Sequence, residues 1–103
     1  MVEYIEYGDE KLPVRLTFTA INKFQEETNQ SIEALGHMET NLKLLEPLLY
    51  YGLEEGFKAE KKEFTIKRQD MSDILDETWQ CFLINIDKFI YFGKSPNTVS
   101  KKK

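Results

Sequence analysis

Cysteine and histidine are nearly missing from this chain: among 103 residues there is one of each, Cys81 and His37. A lone cysteine forms no intrachain disulfide, which fits a reducing compartment. One histidine and one cysteine do not make up a zinc site of the common types. Any Ser-His-Asp or Cys-His mechanism would have to pass through His37. That residue stands between Gly36 and Met38 in an expected loop and reads as a solvent-facing polar group. Cys81 falls in the run Trp79-Gln80-Cys81-Phe82, where a small buried hydrophobe is expected. The five glycines are scattered and build no phosphate-cradling loop. Acidic pairs such as Asp73 with Glu77, or Glu54 with Glu55, occur without the Asp/Asn-rich, glycine-centred loop that calcium needs. They read as solvated helix surface. No catalytic residue, metal ligand or cofactor is therefore assigned.

Long apolar runs are missing too. The longest stretch, about Trp79 to Ile86, is stopped by Asp87 and Lys88, far short of the ~20 residues of a membrane-spanning helix. Met1-Val2-Glu3-Tyr4-Ile5-Glu6 lacks the basic start and apolar core of a signal peptide. The expectation is a cytoplasmic protein without membrane contact. Positive charge is scarce outside the C-terminus. The net charge is −4 from 14 basic and 18 acidic residues, and setting aside Lys101, Lys102 and Lys103 leaves 11 basic residues and a body of −7. Such a body repels phosphate backbones, so no nucleic-acid partner is expected.

Hydrophobic residues make up 41% of the chain, ample for one core at a length that fits a single domain. The folded domain is expected over residues 1–93 and a flexible tail over 94–103, where periodicity stops. Val2 to Tyr7 is rich in strand-forming residues, Gly8-Asp9-Glu10 signals a turn, and Leu12, Val14 and Leu16 alternate with Pro13 and Arg15. This predicts a hairpin with Pro13 on an edge strand, its apolar face lying on helices. A first helix is expected after Thr17 or Thr19, with Ala20, Ile21 and Phe24 inward and Asn29 as a left-handed terminator. Ser31 to Gly36 reads as a short capped helical turn ending in glycine. A third helix is expected from about Asn41 to Glu55, ended by Gly56, with Pro47 forcing either a start near Glu46 or a kink. The last helix is expected from about Arg68 to Tyr91, its inner face made by Met71, Leu75, Thr78, Phe82, Ile86 and Phe89. The fold class is mainly α: a short N-terminal β-hairpin packed on a small helical bundle with a long C-terminal helix.

More apolar surface is present than one face per helix requires. In the third helix Leu42, Leu45, Leu49 and Leu53 lie along one side, and Leu44, Leu48 and Tyr51 along the other. In the last helix Ile84 and Tyr91 fall behind the main stripe, among Asp73, Glu77, Asp87 and Lys88. A helix apolar on two sides is either sandwiched within the fold or docks a partner. Tyr51, Ile84 and Tyr91 are the candidate partner-binding residues.

The order of segments resembles a known family. An acidic hairpin around a glycine leads into Phe18-Thr19-Ala20-Ile21-Asn22-Lys23-Phe24-Gln25-Glu26-Glu27-Thr28-Asn29-Gln30-Ser31-Ile32. A Leu48-Leu49-Tyr50-Tyr51-Gly52-Leu53 helix follows, continued by Glu54-Glu55-Gly56-Phe57. The link Glu63-Phe64-Thr65-Ile66 comes next, and the final helix is entered through Gln69-Asp70-Met71. Over roughly Ile5 to Phe92 this looks like the tail assembly chaperones of long-tailed bacteriophages. That family usually places glycine where Asn29 or Gln30 stands, and asparagine adopts the same left-handed geometry. The resemblance implies a non-catalytic assembly factor in the host cytoplasm that binds the tape measure protein and the tail tube protein. A homo-oligomer is compatible with it.

Two rival readings belong to other classes. A small helix-turn-helix-like DNA-binding regulator would use Thr17 to Gly36, with Ser31 to Leu35 as recognition helix, yet that segment carries Glu33 and no basic residue. An enzyme would depend on His37. The tail, Ser95 to Lys103, ends in three lysines, which read first as a solubilising end. The resemblance adds a second reading, because such chaperones are often made in two lengths and consecutive lysine codons can form an A-rich run on which ribosomes slip to a longer product.

Overall fold

The computed structural model describes residues 2–91; the expected tail at 94–103, with the lysines considered for ribosomal slippage, lies outside the described residues. The hairpin forms as strands β1 (Glu3–Tyr7) and β2 (Glu10–Val14), antiparallel, with Ile5 opposite Leu12 and Tyr7 opposite Glu10. Gly8 takes φ +62° in the two-residue turn, a backbone that glycine enters without strain. In a two-stranded sheet both strands are edges, so Pro13 is tolerated opposite Tyr4. Ile5, Leu12 and Val14 are buried.

Helix α1 (Phe18–Thr28) starts where the Thr17 hydroxyl accepts from Ala20 N at 3.1 Å, satisfying one of the free amides of the first turn. It stops at Asn29, which adopts φ 58° and donates its N–H to Gln25 O. Ala20 and Phe24 are fully buried and Ile21 packs partly exposed beside them. The next segment departs from expectation. Ser31 makes no side-chain cap, and the chain runs on past Gly36 as a kinked 3-10 helix, Ile32–Thr40, bent at His37. The buried Met38 anchors it, a contact that local capping signals do not reveal.

A 3-10 turn, Leu42–Leu44, leads into α2 (Leu45–Ala59). Pro47 sits in the first turn, where its missing N–H would have had no helical partner. Leu44, Leu45, Leu48, Leu49 and Leu53 are all buried, because α2 packs against α1, β2 and the following helix together. Its two apolar sides are thus used inside the fold. Gly56 does not end this helix, as the sequence had suggested; it lies buried within it. A Cβ there would stand 2.7 Å from Val14 N and closer still to the Pro13 carbonyl. The glycine lets the backbone of β2 cross α2, and Arg15 N donates to Gly52 O at 2.9 Å one turn away.

Helix α3 (Met71–Ile84) follows a 3-10 turn, Arg68–Asp70. The expected continuous helix to Tyr91 is broken. At Asn85 the backbone leaves helical geometry (φ −109°, ψ 21°), the short helix α4 (Ile86–Phe89) follows, and Ile90 becomes extended. Leu16 N donates to Phe89 O and Tyr91 N donates to Leu16 O, so Ile90 pairs in parallel with Leu16. Burial of Ile86 and Phe89 together with this pairing replaces the helical hydrogen bonds given up at Asn85. The core face of α3 is Met71, Ile74, Thr78 and Phe82; Leu75 is only partly buried. Thr78 is satisfied by donating to Ile74 O at 2.8 Å.

Candidate functional site

The residues that could carry chemistry stand apart from one another. His37 is exposed on the kinked 3-10 helix, where Thr40 Oγ1 donates to its backbone carbonyl. Cys81 is exposed, not buried as its apolar neighbours had suggested. Positions 74, 78 and 82 take the core side of α3, which leaves residue 81 on the flank with Glu77 and Ile84 at helical spacings of four and three. Among the described residues no three His, Cys, Asp or Glu side chains are arranged to hold a metal ion. None of the described helices is long and apolar enough to cross a membrane.

The three candidate partner-binding residues have different fates. Ile84 is 79% exposed at the last position of α3. Tyr91 is 39% exposed, but its ring lies under the Arg15 guanidinium at 3.9 Å and its N–H holds Leu16. One face of the ring is therefore used within the fold. Tyr51 is not a free surface group: it is half-buried and its hydroxyl donates to Glu27 Oε1 at 2.7 Å.

Around Tyr51 the structure assembles a clamp. Arg68 donates from both terminal nitrogens to Glu27, at 2.9 and 2.7 Å, and lies 3.6 Å from Glu46. Its guanidinium faces the Tyr50 ring at 5.0 Å. This paired geometry ties the end of α1 and the start of α2 to the entry of α3. The Arg68 hydrogen bonds hold Glu27 below the usual carboxylate range, and the bond to Glu27 together with burial pushes the Tyr51 hydroxyl up. Phe64 packs on Tyr50 and Phe57, each pair of rings 5.4 Å apart, which fixes the otherwise irregular link before α3. The clamp holds the fold and offers no reactive group.

Sequence reasoning missed other exposed apolar groups. Phe18, the first residue of α1, is 83% exposed, Ile32 is 56% exposed and Leu42 43%. Phe18 directly follows the capping Thr17, and a signal was available there: Ala20, Ile21 and Phe24 fill the inner stripe without it. Trp79 and Leu75 line a shallow cleft with Leu42 and Leu45. Large apolar side chains thus stand exposed at several separate points of the described surface. Comparison with protein-family models, curated proteins and solved structures finds no match for this chain.

Proposed function

We propose that this chain is a non-catalytic tail assembly chaperone of a long-tailed bacteriophage, holding the tape measure and tail tube proteins in the host cytoplasm while the tail is built. The observation that carries the reading is the ordered sequence pattern: the acidic hairpin, the helix from Phe18, the Leu48-to-Leu53 helix, the Glu63-to-Ile66 link and the entry at Gln69-Asp70-Met71. The exposure of Phe18 and Ile84 supports it, because a chaperone must offer apolar surface that its own core does not consume. Tyr91 contributes the ring face that Arg15 leaves open. Tyr51 is left out of the contact set because its hydroxyl and ring serve the Arg68 clamp.

The test is co-expression with the tape measure and tail tube proteins of the same phage, followed by capture on the tagged chain. Capture of at least one of them is expected. Ile84→Ser should weaken it several-fold while the melting temperature stays put, since Ile84 touches little of the core. Failure to capture either protein with a correctly folded chain would refute the proposal.

A further inference from the structure

The hairpin tip and the first turns of α3 face each other across an open cleft of about 290 Å³. Its floor is apolar: Leu12 from β2, Phe57 from α2, Ile66 from the link and Ile74 from α3. Its rim is acidic from both sides. Glu10 shares the inward face of the hairpin with Leu12 and stands opposite Tyr7. Asp70, Asp73 and Glu77 follow one another at three and four residues along α3. Gly8 N donates to Glu77 Oε1 at 3.2 Å, which ties the hairpin turn to α3 beside the cleft. Asp70 is occupied at one oxygen by Lys67 N. The ion pairs described in the structure, Lys23–Glu54, Lys62–Glu60, Arg68–Glu27 and Arg68–Glu46, include none of these rim acids. Burial and then the fields of Glu77, Asp73, Asp70 and Glu10 push the Tyr7 hydroxyl upward, so four carboxylates lie near one point.

Two features select the occupant. The carboxylates are spread along the cleft and no three converge as metal ligands, so a point charge is a poor fit and an extended cationic chain a good one. The apolar floor beneath them matches the methylene stem of lysine or arginine, whose charged head then reaches the rim. Further along the same face of α3, at positions 81 and 84, come Cys81 and the exposed Ile84. They extend the surface toward an apolar end.

We propose that this cleft is a docking groove for a lysine- or arginine-bearing amphipathic segment of a partner protein. Its cationic side chains lie over Leu12, Ile66 and Ile74 and meet Glu10, Asp73 and Glu77, and an apolar residue of the segment covers Ile84. The assignment rests on the reading of this chain as a protein-binding factor, but not on which protein it binds.

The experiment uses the full chain, isotope-labelled, and three synthetic amphipathic helical peptides as probes. One is leucine–lysine, one leucine–glutamate and one serine–lysine. The leucine–lysine peptide should shift amide resonances at Tyr7, Leu12, Ile66 and Ile74, and the other two should bind much more weakly. The double variant Glu10→Gln/Asp73→Asn removes two rim charges that make no described hydrogen bond, so folding is retained. It should weaken the peptide about fivefold, two exposed charge contacts' worth, and flatten the salt dependence. Equal affinity in the double variant, binding of the leucine–glutamate peptide as tightly, or shifts centred on Leu42 and Trp79 would each overturn the proposal. So would shifts at the groove that grow with protein concentration alone, which identify a second copy as occupant. Tighter peptide binding in Lys101→Ser/Lys102→Ser/Lys103→Ser would likewise overturn it in favour of the chain's own lysines. The two readings fail separately. A chain that binds the peptide but captures no tail protein refutes the proposed function and leaves the groove. Capture of tail proteins undiminished by the double variant refutes the groove and leaves the function.

Discussion

Gly56→Ala sets two effects of known size against each other. In an ordinary helix interior the change is favourable by up to ~1 kcal/mol, because alanine restricts the unfolded chain and glycine does not. In α2 the new methyl would stand 2.7 Å from Val14 N and closer still to the Pro13 carbonyl. These are backbone atoms, and a rotamer change cannot move them. β2 is held in place by its pairing with β1 and by the Arg15 N–Gly52 O hydrogen bond, so the hairpin must lift off the helix. Overpacking of this kind costs ~1–3 kcal/mol when side chains can adjust, and the upper end applies where they cannot. The net expectation is a loss of about 2 kcal/mol, or roughly 8–16 °C in melting temperature for a domain of this size. Urea unfolding followed by Trp79 fluorescence and by circular dichroism measures it. Gly36→Ala is the control: nothing lies within 4 Å of the added carbon, and stability should stay within ~0.5 kcal/mol. Gly52→Ala meets Leu16 Cδ2 at 2.8 Å and Val14 Cγ1 at 3.0 Å, both side-chain ends, and should fall between the two. A Gly56→Ala protein as stable as the parent would refute the crossing of β2 over α2.

Phe82→Ala should cost ~3–5 kcal/mol as a fully buried ring, whereas Leu75→Ala, only partly buried, should cost about 1 kcal/mol; equal losses in denaturant would show that the inner face of α3 is misplaced. The Arg68 clamp predicts two pH edges in the melting temperature. Glu27 is held low chiefly by Arg68, so its contribution is present above the ordinary carboxylate range and fades as pH falls through the depressed value. Tyr51 is pushed up chiefly by its bond to Glu27, so its contribution is present below the ordinary tyrosine range and fades as pH rises through the raised value. Glu27 is exposed and Tyr51 only half-buried, so solvent screens both and Glu27→Gln should flatten each edge by ~1 kcal/mol at most; a pH profile unchanged by that substitution would refute the clamp's role.

Local chemistry alone determined a good part of this protein. The hairpin follows from the alternating apolar pattern Leu12, Val14, Leu16 and a glycine turn, and α1 follows from the Thr17 cap and the left-handed Asn29, because each signal acts within a few residues of where it is written. The two-sided apolar pattern of α2 was equally plain, but its meaning was not. Sandwiching and partner docking need the same residues, and only the packing of α1, β2 and α3 around α2 decides between them. The tertiary structure alone also turned Gly56 from a helix stop into a crossing point, ended α3 at Ile84 and exposed Cys81. In the first two cases the cause lies far away in sequence, Pro13 against Gly56 and Leu16 against Ile90; for Cys81 it is the side of α3, through Ile74 and Phe82, that the rest of the fold covers. The acidic cleft is of the same kind. Asp73 and Glu77 read as ordinary solvated helix surface until the fold brings Glu10 and an apolar floor opposite them, since no period along one chain records which two surfaces will face each other.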